Sequence, residues 1–191
     1  MDNLELTEDP SILLALEIPI TDIKLYGLKL HDSCFLIRIH DVDSITLEKP
    51  PDGAIQLQGV DGKNFLYYIN GVELQFSFEK RFEAVMEFGG CLHMKTGVTY
   101  VIDDKQIIGM RIYSDKHNFY KTIPKEKIEK VFGKADKIFP SYFEQDGSLA
   151  STEFTYYNRP ISISVSGSVN KISTIYLGKY PFEISWMKNN G

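Results

Sequence analysis

Two stretches of this chain repeat one pattern. FLYYINGVELQFS (Phe65–Ser77) and FTYYNRPISISVS (Phe154–Ser166) align without a gap at an offset of 89 residues. Phe65, Tyr67, Tyr68 and Ser77 match Phe154, Tyr156, Tyr157 and Ser166, and the match extends to Gly89 and Gly178. Val72, Leu74 and Phe76 fall on Ile161, Ile163 and Val165. Both stretches therefore alternate apolar and polar residues with the period of two that a half-buried strand requires. A second block, YGLKLHDS (Tyr26–Ser33), resembles IGMRIYSD (Ile108–Asp115) at an offset of 82, which leaves seven extra residues in the second copy. A surface loop absorbs such an insertion at small entropic cost. Self-similarity of this kind constrains the fold before any other feature does.

The expected class is α+β: a tandem duplication of a β-α-β-β-β unit, with an antiparallel sheet carrying helices on one face. A helical segment over 1–17, capped by Asp9 and started by Pro10, precedes a first repeat over 18–95 and a second over 96–191, with the two sheets able to join as one. The first strand of each copy centres on Gly27 or Gly109. TIPKEKIEKVFGKADKI supplies the helix of copy two, with Pro124 in the first turn, Ile128, Val131 and Phe132 on one face, and Gly133 as a stop. Short turns at Ile69–Gly71, Glu79–Arg81, Asn158–Pro160 and Ser166–Ser168 imply antiparallel neighbours. FEKRFEAVMEFG reads as a helix by composition, but the repeat maps it onto the β-branched SGSVNKISTIYLG. Tertiary context overrides propensity, so a strand is expected there. GGCLHMKTG (Gly89–Gly97) is expected to link the copies. Alternation puts Val72, Leu74, Phe76, Ile161, Ile163 and Val165 on an apolar face and Glu73, Gln75, Ser77, Ser162, Ser164 and Ser166 on a wet one.

Composition excludes more than it selects. The 191 residues are 43% hydrophobic and 25% charged, an ordinary globular mixture. No apolar run approaches the ~20 residues of a membrane span. The acidic start MDNLELTEDP lacks the basic and apolar regions of a secretory signal. Cys34 and Cys91 are isolated, which suits a reducing cytoplasm. A net charge of -5 with no basic cluster argues against nucleic acid and favours a basic protein as partner.

No motif for catalysis, nucleotide or metal is present. His40–Asp43 (HDVD) offers metal-ligand types without reinforcement and reads as a solvated loop. Cys34 precedes FLIRI and reads as a small buried hydrophobe rather than a nucleophile partnered by His31. Cys91 and His93 lack two further ligands. Asp103–Lys105 reads as a turn. No cofactor is expected. Tyrosine is more informative: there are eleven, and tyrosine serves interfaces because it is large, rigid and amphipathic. Tyr68 and Tyr157 are expected to reach the polar face, with Tyr113 and Tyr142 as further contacts.

IPKEKIEKVFGKADKI, followed by three strands ending ISTIYLG, resembles the module of the β-lactamase inhibitor protein family and the related SmpA-type lipoprotein domain. The likeness covers Gly109–Gly178 well and Gly27–Gly89 poorly. Ala135 stands where the family often has proline. The resemblance implies tandem modules whose polar sheet face grips a partner protein; the inhibitor's own target does not carry over. The expected function is a non-catalytic, cytoplasmic, immunity-type protein that blocks a toxin or enzyme through Tyr68, Glu73, Gln75, Tyr113, Tyr142, Tyr157, Ser162 and Ser164. The alternative is a small-molecule-binding or hydrolytic domain with a pocket between the repeats, lined by His31, His40 or His93.

Overall fold

The computed structural model describes residues 4–7, 12, 17–47, 55–58, 65–74, 77–113, 124–143 and 145–178. In chain order the strands are β1 (Lys24–Leu25), β2 (Leu28–Lys29), β3 (Val42–Leu47), β4 (Ile55–Gln58), β5 (Phe65–Ile69), β6 (Val72–Leu74), β7 (Gly90–Met94), β8 (Val98–Asp103), β9 (Gln106–Tyr113), β10 (Lys137–Tyr142), β11 (Leu149–Tyr156), β12 (Ile161–Ser166) and β13 (Ile172–Gly178). The helices are α1 (Phe78–Phe88) and α2 (Ile128–Phe132). The paired strands are antiparallel, so the class is α+β with an antiparallel sheet. The chain divides into two compact units: Met1–Leu30 with Gly109–Gly191, and His31–Ile108. These bounds differ from those of the expected repeats.

In the unit that holds the chain's second half, five strands lie in the order β10-β11-β12-β13-β9. Register assigns every side chain to a face. One row runs Ile138, Phe154, Ile163, Ile175, Ile112, and the next runs Tyr156, Ile161, Leu177, Met110. Ile112, Ile163, Ile175 and Met110 are fully buried, as are Ile128 of α2 and Leu6, Ile23 and Leu25 of the first segment. Each such side chain contributes roughly 1.5–3 kcal/mol on burial, which fixes this face as the core. α2 is shorter than the sequence suggests, with a 3-10 turn at Lys125–Lys127 before it. Ile128 and Phe132 point inward at i, i+4 spacing, and Gly133 (φ 85°) stops the helix in a conformation that disfavours a Cβ. Ser173 is the extra residue of a bulge between β12 and β13, and its hydroxyl donates to the Ser164 carbonyl at 3.1 Å.

Strands β3, β7 and β8, with β9 up to Ile108, follow one another in the second unit, and α1 packs on β3 and β7. β4, β5 and β6 form a separate three-stranded sheet. Here several expectations are corrected. FEKRFEAVMEFG is α1, a helix and not a strand. Ser77 caps it by accepting the Lys80 N–H at 3.3 Å, Val85 and Met86 are buried, and Gly89 (φ 93°) closes it with its N–H on the Val85 carbonyl. Glu79–Arg81 therefore lies in the helix rather than in a turn. Local propensity won: the aligned segment shares the bracketing Ser166 and Gly178, but between them it carries β-branched residues where α1 carries helix formers. Gly90–Met94 is strand β7, not a linker: its residues pair with both β3 and β8. Tyr26 (φ 50°) and Gly27 (φ 78°) form the turn between β1 and β2, so no strand centres on Gly27. Val72 is 66% exposed, against the expected burial. It flanks the two-residue turn Asn70–Gly71, and alternation alone cannot say that a face is covered.

The two look-alike hairpins also differ in register. Ile69 pairs with Val72 across two residues, whereas Tyr156 pairs with Ile161 across four. Tyr68 thus sits in a strand and Tyr157 in a turn. The expected turns at Asn158–Pro160 and Asp103–Lys105 are present, the latter with Asp104 and Lys105 both at positive φ. The expected N-terminal helix falls mostly on residues 8–11 and 13–16, outside the described residues.

Candidate functional site

The second face of the five-stranded sheet holds the polar residues. Register aligns Lys137, Thr155, Ser162, Tyr176 and Arg111 in one row and Phe139, Glu153, Ser164, Thr174 and Tyr113 in the next. Ser141, Ser151 and Ser166 make a third. None of these positions carries an aliphatic side chain, which is what a sheet with one core face requires. The aromatics gather at the flanks: Phe139 on the edge strand β10, Tyr113 and Tyr176 at the other end.

Charge sits with the aromatics. The Arg111 guanidinium lies 4.2 Å from the Tyr113 ring centre and 5.0 Å from that of Tyr176. The Lys137 ammonium is 5.7 Å from the Phe139 ring centre. Such contacts contribute about 0.5–2 kcal/mol each, more where water is excluded. On β10 every described side chain is exposed, including Ile138, Phe139 and Tyr142 at about half their area. Pro140 removes one donor from this edge, which discourages indiscriminate strand addition.

Of the expected contact residues, Tyr113, Ser162 and Ser164 share this face. Ser162 is buried, however, and its hydroxyl donates to Thr155 Oγ1 at 3.3 Å. It supports the face rather than touching a partner: in the middle of a five-stranded sheet its short side chain is overtopped by longer neighbours. Ser164 and Tyr113 are half-buried. Tyr142 is exposed on β10, and Tyr157 is exposed in the β11–β12 turn, where its N–H donates to Asp136 Oδ2 at 2.7 Å. Tyr68 and Glu73 belong to the other unit, where the phenol donates to the carboxylate at 3.5 Å. Gln75 lies outside the described residues. Sequence reasoning passed over Arg111 and Tyr176. The spacing of Arg111 and Tyr113 on one strand was a readable signal, but their meeting with Tyr176 depends on a register that no local pattern reveals.

A small cavity of about 150 Å³ opens beside α2, lined by Phe132, Lys134, Asp136, Tyr156, Asn158, Arg159 and Ile161. It is below the ~300 Å³ usual for small-molecule sites. Tyr156, Asp136 and Arg159 in its lining are engaged in structure. The Tyr156 hydroxyl donates to the Gly133 carbonyl at 3.1 Å, and burial, aided by the Glu129 and Asp136 carboxylates, pushes its pKa up to about 12. Arg159 Nη2 donates to the Ile12 and Ile18 carbonyls at 3.4 and 3.2 Å, fastening the first segment to the β11–β12 turn. Burial lowers the Arg159 pKa, opposed by the charge of Glu17.

The remaining chemical candidates do not converge. His40 and Asp41 are 3.3 Å apart on an exposed loop, with Arg38 at 3.0 Å from the same carboxylate. His93 bridges Thr46 and Thr99 hydroxyls at 3.0 and 2.9 Å, tying β3, β7 and β8 together. Cys34 is buried, with its thiol pKa raised by burial and its Sγ 3.9 Å from the Met86 carbonyl. Among the described residues no three His, Cys, Asp or Glu side chains gather as a metal site, and no helix is long and apolar enough to cross a membrane. No family model, no curated protein and no solved structure matches this chain.

Proposed function

We propose that this chain is a non-catalytic protein-binding module of the inhibitory, immunity type, which works in the cytoplasm and blocks a toxin or enzyme by covering it with the second face of the five-stranded sheet. The observation that carries the reading is the face itself: hydroxyl rows framed by Phe139 and Tyr113, with cations over these rings and over that of the buried Tyr176. Aromatics and arginine are the residue types enriched at interface hot spots. Tyr142, exposed on the edge strand β10, and Tyr157, exposed in the β11–β12 turn, are further proposed contacts, as are Tyr68 and Glu73 within their own unit. The net charge of -5 favours a basic partner and speeds its encounter.

The likeness to the β-lactamase inhibitor module belongs to the same proposal, as does internal duplication. Both find support in a shared local plan. α1 and α2 end on Phe-Gly, with Gly89 at φ 93°, ψ 166° and Gly133 at φ 85°, ψ 178°. An antiparallel meander follows each. Affinity purification of the tagged chain from its native cells, with a Phe139→Ala/Tyr157→Ala variant alongside, tests the function. A partner retained by the parent and lost by the equally folded variant is expected. Equal retention by both, or no partner for either, refutes it.

A further inference from the structure

Arg111 sits in a position that the rest of the sheet does not explain. It is half-buried, and its Nε is wholly shielded and meets no hydrogen-bond acceptor among the described residues. The rings of Tyr113 and Tyr176 flank its guanidinium. The acid in the adjacent row, Glu153, stands on β11, three strands away from β9. At ~4.8 Å per strand that is on the order of 14 Å, too far for an ion pair. A cation taken out of water is costly unless it is paired, and ring faces recover only part of that cost. The planar fork of arginine matches an oxyanion that accepts two parallel N–H bonds, a carboxylate or a phosphate, and the side chains of an unmodified protein partner supply the carboxylate. Stacking against the rings preorganises the fork, so little rotamer entropy remains to be lost on binding.

We propose that Arg111, clamped by Tyr113 and Tyr176, is the anchor for an aspartate or glutamate side chain of the partner protein. The inference rests on the protein-binding role of this face and names the chemistry it recognises. It also divides the electrostatics: the overall negative charge governs long-range encounter, while the partly desolvated Arg111 sets the register of docking. The half-buried Ser164 hydroxyl in the neighbouring row is suited to the polar backbone around such an acid, while Thr174, buried like Ser162, supports the face.

A displayed peptide library, fused through its C-terminus so that no free carboxyl end competes, is panned on the full-length chain. Enriched peptides are expected to share one Asp or Glu. Changing that acid to Asn or Gln, or Arg111→Met in the chain, is expected to weaken binding at least tenfold, and the two changes together no further. The Arg111 Nε–Hε resonance of the parent chain is expected to move on adding an enriched peptide but not its amide counterpart, a readout that does not depend on the variant folding. Enriched peptides without a shared acid, or an unmoved resonance, overturn the anchor and leave the protein-binding role standing. Failure to enrich any peptide overturns both.

Discussion

Replacing Glu5 by glutamine is expected to loosen the first segment from its unit. Glu5 is 7% exposed, and its carboxylate accepts the Thr7 hydroxyl at 2.6 Å and the backbone N–H groups of Tyr26 and Gly27 at 2.8 Å each. Those two N–H groups belong to a left-handed turn and point away from the β1–β2 ladder, so the carboxylate is their partner. Glutamine keeps one acceptor oxygen and turns an NH₂ toward a donor. One buried N–H is then orphaned, at roughly 1–3 kcal/mol, and charge assistance is lost from the others, so the expected total is about 2–4 kcal/mol. At ~2–4 °C per kcal/mol for a chain of this size, the melting midpoint falls by roughly 5–15 °C near neutral pH. Burial alone would raise the Glu5 pKa, but the hydrogen bonds from Thr7, Gly27 and Tyr26 together outweigh it and hold the carboxyl below its ordinary value. The folded value being the lower one, the stabilisation is fully present above the ordinary glutamate pKa of about 4.3 and is lost as pH falls through the folded value. The gap between parent and variant, read by circular dichroism melts across pH, therefore shrinks in acid. A variant that melts with the parent at neutral pH, or a gap that stays constant into strong acid, refutes the reasoning.

Other outcomes follow from single contacts. Gly167→Ala would set a Cβ 1.9 Å from the Leu149 carbonyl oxygen, so the β11–β12 hairpin must shift; a large loss of stability by urea titration is expected. Tyr156→Phe removes the bond to Gly133 and should cost about 1 kcal/mol. It also deletes, from a spectrophotometric titration, a phenol that ionises only near 12. Val72→Thr, at a position 66% exposed, is expected to change stability by less than about 0.5 kcal/mol; a loss above ~1.5 kcal/mol would return Val72 to a core.

Strand alternation was legible wherever a face is covered: Ile161, Ile163 and Val165 are buried as their spacing demands. The α2 segment was legible too, because Pro124, Ile128, Phe132 and Gly133 agree on one helix. Likeness between segments misled where it competed with local chemistry. Ser77 and Gly89 bracket a helix that the alignment had turned into a strand, and the polar–apolar pattern around Val72 matches that of Ile161 although only one of them is covered. For the candidate site, tyrosine enrichment led to Tyr113 on the polar face, to Tyr142 and Tyr157 at exposed positions of the same unit, and to Tyr68 in the other unit. The pairing of Arg111 with Tyr176 was out of reach, since it is fixed by the β9–β13 register between residues far apart in the chain. Burial of Ser162 was equally hidden, because a serine in the sheet centre and one at its rim read alike.

Hydrogen–deuterium exchange on the chain alone and with its co-purified partner tests the central claim most directly. Slowed exchange concentrated in β10, β11 and the turn around Tyr157, together with shielding of Tyr113, is the predicted footprint. A footprint confined to residues 31–108, or none at saturating partner, contradicts a binding role for the polar face.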